Sequence, residues 1–206
     1  MSTVVAVHPV DPQERLLQRA ADVIAGGGVI AYPTDSSYAL GCHLGEKSAL
    51  ERIRRLRRVE RDHEFTLVCS DLSELSTYAR VDNWAYRMLK AHTPGPYTFI
   101  LKATQDVPKR LRDGKRKSIG IRVPDNRIAL MLIALHRQPV MSSTLLLPGD
   151  DVPLTDADDI RERVGSQVDL IVDGGACGIE PTTVVDLSQG TIALLREGKG
   201  DATAFK

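Results

Sequence analysis

The chain has 206 residues, 42% of them hydrophobic, and its 27 Lys and Arg balance 27 Asp and Glu to a net charge of zero. That is enough apolar material for one sizeable core, and it excludes an intrinsically disordered chain. It also excludes a protein that coats nucleic acid by bulk positive charge, so affinity for phosphate must come from how the charges are arranged.

The elements follow one another with short links. Residues 3–7 form a β-branched run that reads as a strand. Asp11 is expected to cap a helix in which Leu16, Leu17, Ala20, Ala21 and Ile24 share a face, stopped by Gly26, Gly27 and Gly28. Residues 29–32 read as a short buried strand, and residues 33–37 turn away from it. A helix is predicted over about 47–59 and a strand over 65–69, followed by two short helices. Strands are predicted over 97–102, 119–123 and 140–146, with a helix at 128–135 between the last two. A helix containing residues 160–164 precedes strands at 168–172, 183–187 and 192–195. Residues 149–159 are acidic and proline-containing, and they read as an exposed loop leading into that helix.

Strands and helices mixed in this way give a sheet with helices packed on it, here as one α/β domain over residues 1–206. No repeat or linker interrupts it. There is no basic-then-apolar leader and no apolar run of transmembrane length, so a cytoplasmic location is expected. Cys42, Cys69 and Cys177 are too widely spaced for a metal motif and read as reduced, packed thiols. The five histidines show no ligand spacing either, so no bound metal is expected and no catalytic residue can be assigned.

Three features carry chemistry. The helix at 47–59 has Leu50, Ile53 and Leu56 on one side and Arg52, Arg54, Arg55, Arg57 and Arg58 on the rest, flanked by only Glu51 and Glu60. A solvated face is one reading. Like charges crowded on a helix are costly without compensation, so anion binding is favoured, and the guanidinium fork suits phosphate. A second basic stretch runs through Lys109, Arg110, Arg112, Lys115, Arg116 and Lys117. If the fold joins the two, they make one positive surface, with the acidic span 149–169 elsewhere. Third, hydroxyl residues cluster at strand ends: Thr34, Ser36 and Ser37; Ser142, Ser143 and Thr144; Thr182 and Thr183. Each alone suits a turn or cap, but three clusters suggest a shared polar pocket for phosphate or carboxylate. With one Trp and eight Phe and Tyr, base stacking is not expected to dominate. Walker-type, GxGxxG, GxSxG and HExxH motifs are missing from the sequence.

Six motifs in order then carry a resemblance. They are Tyr32-Pro33-Thr34-Asp35-Ser36-Ser37-Tyr38-Ala39-Leu40-Gly41-Cys42, Thr93-Pro94-Gly95-Pro96-Tyr97-Thr98, Gly120-Ile121-Arg122-Val123-Pro124, Asp173-Gly174-Gly175, Pro181-Thr182-Thr183-Val184-Val185-Asp186 and Leu194-Leu195-Arg196-Glu197-Gly198. Together they resemble the YrdC-like superfamily over nearly the whole chain. The stretches 63–67 and 71–78 look like its YciO branch. The resemblance implies a twisted, mixed parallel and antiparallel sheet around a large positive cleft, and binding of double-stranded RNA or tRNA. One branch is threonylcarbamoyl-AMP synthase, a transferase in tRNA t6A modification that joins L-threonine, bicarbonate and ATP with Mg²⁺ and releases pyrophosphate. By that resemblance Thr34, Arg122, Ser142 and Thr183 match positions contacting threonine, and Ser118, Thr144 and Arg196 match positions near ATP. Asp35 and Asp186 are expected to order loops.

The departures lie at the phosphate end. The synthase branch has a Lys-x-Arg pair where this chain has Arg57 and Val59, and a Ser-x-Asn pair where it has Thr144 and Leu146. Losing charge stabilisation at a phosphoryl centre costs orders of magnitude in rate, and helix geometry aims Arg55 and Arg58 elsewhere. The expected function is therefore binding of RNA and a nucleotide in a retained cleft with lost or altered synthase chemistry. The alternative is an active synthase, a nucleotidyltransferase-type enzyme. Arg57 belongs to the expected cleft set. Arg54, Arg55, Arg58, Lys115, Arg116 and Lys117 form the expected RNA-binding set.

Overall fold

The computed structural model describes residues 2–60, 65–111 and 117–206. Its strands are β1 (Thr3–Ala6), β2 (Val29–Pro33), β3 (Tyr38–His43), β4 (Thr66–Val68), β5 (Ala79–Arg80), β6 (Tyr97–Ala103), β7 (Ser118–Arg122), β8 (Val140–Thr144), β9 (Leu170–Asp173), β10 (Thr183–Asp186) and β11 (Ala193–Arg196). The helices are α1 (Glu14–Ala25), α2 (Lys47–Arg57), α3 (Leu75–Tyr78), α4 (Asn83–His92), α5 (Arg127–His136) and α6 (Ala157–Val164). All strands join one sheet in the order β1-β9-β2-β3-β8-β4-β7-β6-β10-β11, with β5 paired to β6. Pairing is mixed: β1–β9, β2–β9, β4–β7 and β6–β10 are parallel, and the other neighbours antiparallel. Among the described residues no helix is long and apolar enough to cross a membrane.

Several local expectations change. Strand β3 has no counterpart among the elements expected from the sequence. Its residues Tyr38 to Cys42 are all buried, with glycine and alanine among them, so no polar alternation marks it. The two-residue β5 also falls below sequence detection. The N-cap of α1 is Gln13, which makes no side-chain cap bond, and not Asp11. The Asp11 amide instead donates to His8 Nδ1 at 2.9 Å. The expected inner face holds, with Leu17, Ala20, Ala21 and Ile24 buried. Helix α2 ends at Arg57 because Arg58 turns left-handed, at φ 48°. Its Ala49, Leu50, Ile53 and Leu56 are buried as the spacing required.

Helices cover the two faces of the sheet unequally. Side chains alternate across β2, so Ile30 and Tyr32 enter one apolar cluster with α1 and α5, and Val29 and Ala31 enter the other with α2, α4 and α6. Helices α1 and α5 pack on each other over the β1-β9-β2-β3 end of their face. The same face continues across β8, β4, β7, β6 and β10, where small polar residues replace the apolar ones. The registers place Ser142, Thr66, Gly120, Ile100 and Asp186 in one row on that face. This bare half of the sheet is the floor of a cleft.

Candidate functional site

The cleft has a volume of about 480 Å³. Its hydroxyl wall is Ser37, Ser142, Ser143, Thr144, Thr98 and Thr182, and its guanidinium groups are Arg57, Arg122 and Arg196. The three hydroxyl clusters therefore do meet, each contributing at least one residue. Gly120 lies in the floor, where a Cβ would come within 3.3 Å of Thr66 Oγ1 and 3.4 Å of Thr98 Cγ2. Any side chain there would project into the space.

Arg122 is the most constrained cation. It is 8% exposed, at the end of β7, and it forms an ion pair with Asp35. Its Nη2 also donates to Ser36 Oγ at 3.1 Å and reaches Thr34 Oγ1 at 3.4 Å. Its buried Nε has no hydrogen-bond partner among the described residues. The turn that holds Asp35 is tightly organised. Thr34 Oγ1 donates to the Ser37 carbonyl at 2.6 Å and accepts from the Ser36 and Ser37 amides. Asp35 Oδ2 accepts from the Asp125 amide at 3.1 Å, and Lys199 Nζ donates to the Asp35 carbonyl. Asp35 thus orders a loop, as does Asp186, whose Oδ1 accepts from the Ser188 amide at 2.8 Å.

On the opposite wall, Arg57 leaves the last turn of α2 and donates through Nε to the Leu146 carbonyl at 3.3 Å and through Nη1 to Ser143 Oγ. Arg196 donates from Nε and Nη2 to the Thr182 carbonyl, at 3.0 and 2.9 Å, and from Nη2 to Thr182 Oγ1 at 3.2 Å. Burial pulls both guanidiniums below the usual arginine value, yet arginine stays cationic in proteins. Ser142 is oriented from behind: Tyr32 OH donates to its Oγ at 2.9 Å. Burial pushes that phenol up to about 12, so it remains a donor.

Five of the eight expected cleft residues line the cavity: Arg57, Arg122, Ser142, Thr144 and Arg196. Three do not. Thr34 is 5% exposed and engaged in its own turn. Ser118 shares the face of Gly120 but is 3% exposed and not on the wall. Thr183 points to the opposite face, because on β10 it is Thr182 and Val184 that face the cleft. Its hydroxyl donates to the Gly200 carbonyl at 2.6 Å and accepts from the Gly198 amide at 3.0 Å. The strand period alone could have separated these neighbours once one facing residue was known. Thr183→Val is expected to cost about 1–3 kcal/mol of stability, from two orphaned backbone groups, while Thr182→Val weakens ligand binding at a smaller stability cost of about 1 kcal/mol, since Arg196 keeps the Thr182 carbonyl when the hydroxyl and its bond to Thr98 are lost. Chemical denaturation and calorimetric titration on the two variants check this contrast.

The rim is thinner than the arginine count suggests. Arg52 pairs with Asp169 at 2.9 Å, so the acidic span does reach the arginine helix instead of lying wholly elsewhere. Arg54 is 11% exposed, pairs with Glu51 at 2.7 Å and stacks 5.3 Å from the Phe65 ring centroid. Arg55, Arg58 and Lys117 are exposed. Lys115 and Arg116 lie outside the described residues.

The comparisons agree with this architecture. The Sua5/YciO/YrdC family model, with the description "Telomere recombination", matches residues 22–198. The crystal structure of Escherichia coli YciO is similar with a TM-score of 0.96 at 51% identity, covering 100% of both chains. A threonylcarbamoyl-AMP synthase of Pyrococcus abyssi is 30% identical over 189 residues, 90% of this chain and 55% of the synthase. The crystal structure of P. abyssi Sua5 complexed with L-threonine has a TM-score of 0.88 at 27% identity, covering 96% of this chain and 58% of that one. With the ordered motifs, the mixed sheet and these similarities in agreement, the chain belongs to the Sua5/YciO/YrdC family, on its YciO branch.

Proposed function

We propose that this protein binds a nucleotide and RNA at one cleft, with the synthase chemistry of its relatives altered or lost. The observation that carries the binding reading is Arg122. With Arg57 and Arg196 it lines a cavity that carries no acidic side chain among the described residues. Three guanidinium groups on one concave wall offer the forked donors that a phosphate or carboxylate takes. L-Threonine suits the hydroxyl wall by analogy with the threonine complex of P. abyssi Sua5. Among the described residues no carboxylate lines the cleft, and no group of three His, Cys, Asp or Glu could hold a metal. Mg²⁺ would therefore be held by the phosphates of an ATP ligand.

The altered chemistry is read from Arg57, which reaches back to the Leu146 carbonyl and Ser143. Val59 and Leu146 supply neither charge nor a side-chain hydrogen bond at the phosphate end. The second reading, an active synthase, draws on the wall that survives: Arg122, Ser142, Thr144 and Arg196.

One experiment separates the two. Purified protein is mixed with ATP, Mg²⁺, L-threonine and bicarbonate, with pyrophosphate and adenylate as readouts, and ATP and double-stranded RNA are titrated in parallel. Saturable binding of both with little pyrophosphate is expected. Robust turnover that vanishes in Ser142→Ala, a change on the cleft wall, overturns the binding-only reading. RNA affinity that is unchanged in Arg55→Glu/Arg58→Glu removes the helix rim from it.

A further inference from the structure

A second concavity of about 370 Å³ lies beyond the cleft, lined among others by Arg80, Asp82, Lys102, Gln189 and Gly190. Strand β6 connects the two. Thr98 and Ile100 line the main cleft, and Lys102 is the next residue on that face, about 7 Å further along the strand. Arg80 stands directly opposite Lys102 in the antiparallel β5–β6 pair, so it shares the same face. Both side chains are exposed.

Like charges directly opposed across strands are destabilising. Among the described residues neither Arg80 nor Lys102 has an ion pair or a side-chain hydrogen bond. Asp82 offsets one charge from the same pocket without pairing to either, and as the N-cap of α4 it makes no cap bond. The facing turn is pinned by Asp186, and at Gly190, with φ 80°, nothing lies within 4 Å of where a Cβ would stand. Two cations without an ion pair among the described residues therefore stand side by side on the cleft's face of β6, at the rim of a concavity that opens at the sheet edge and is floored by Ala85, Leu101 and Leu187 from the other face.

We infer that Arg80 and Lys102 form a second phosphate subsite, which takes backbone phosphate of an RNA whose other contacts lie at the main cleft. The inference rests on the RNA reading above. A mononucleotide in the main cleft does not need this subsite, whereas a polynucleotide crossing the open face does.

The test compares wild type with Arg80→Gln/Lys102→Gln, which keeps side-chain bulk and relieves the like-charge pair. The dissociation constants of a double-stranded RNA and of ATP are measured across a KCl series, with thermal melts as the check on folding. RNA binding is expected to weaken roughly tenfold near 0.1 M salt, with the slope of log K against log salt shallower by about 1.8. ATP binding stays within about twofold, since no phosphate contact of the mononucleotide is lost. Wild-type RNA binding with an unchanged slope in the variant overturns this subsite alone. Equal weakening of ATP also overturns it, by assigning the pocket to the nucleotide. No RNA binding by wild type overturns both readings. If the glutamine pair lowers the melting temperature, Arg80→Lys, which retains the charge, must restore the wild-type slope, and its failure to do so overturns the subsite.

Discussion

Arg122→Met is expected to lose about 3–5 kcal/mol of stability and, with it, all affinity for a phosphate- or carboxylate-bearing cleft ligand. The stability loss comes from Asp35. Both partners of this ion pair are about nine-tenths buried, with side-chain exposures of 10% and 9%. Removing the guanidinium leaves a carboxylate supported, among the described residues, by the Asp125 amide alone. The binding loss comes from the positive charge that Arg122 contributes to the cavity wall beside Arg57 and Arg196. The two effects separate in Arg122→Met/Asp35→Leu, which should recover most of the stability and none of the binding. Urea unfolding and calorimetric titration with ATP and with L-threonine measure both. A single variant that binds both ligands as tightly as wild type means Arg122 only braces the turn at residues 33–37.

Restoring the phosphate end should have the larger effect on rate. Val59→Arg/Leu146→Asn is expected to raise formation of threonylcarbamoyl-AMP by about 10²-fold or more, since a single oxyanion-stabilising donor is worth that much. Val59 follows the left-handed Arg58 and is half-buried, its amide bonded to the Arg54 carbonyl at 3.1 Å. The Leu146 backbone already receives Arg57. An arginine at 59 would add a charge two residues beyond Arg57, and an asparagine at 146 would add a side-chain donor two residues beyond Thr144, both of which line the cleft. Pyrophosphate release and mass detection of the adenylate provide the readout. If wild type already turns over as fast as the double variant, the chemistry was never lost and the active-synthase reading stands.

Much of the site was legible before any coordinates. The hydroxyl clusters announce themselves because Ser and Thr at the ends of apolar strands are polar groups that must face something polar. Arg122 was legible through its motif, Gly120-Ile121-Arg122-Val123-Pro124. The inner face of α2 followed from the spacing of Leu50, Ile53 and Leu56. Strand β3 was not legible, since a strand buried on both sides has no alternation to read. Thr182 and Thr183 could not be told apart, because adjacent hydroxyls on a strand differ only in which face they take.

Sequence by itself determined the alternation of strands and helices, the apolar stripes, the family resemblance and the departures at Val59 and Leu146. These depend on local periodicity and on residue identity, which need no partner to be read. The tertiary structure alone decided which cations are available. Arg52 meets Asp169 across 117 residues, and Arg57 reaches the Leu146 carbonyl across 89. Arg80 and Lys102 are brought opposite each other by the β5–β6 register, in a pocket the chain order does not suggest. Whether a charge is neutralised, buried or left facing a ligand depends on contacts between distant segments, and those exist only once the sheet has closed its registers.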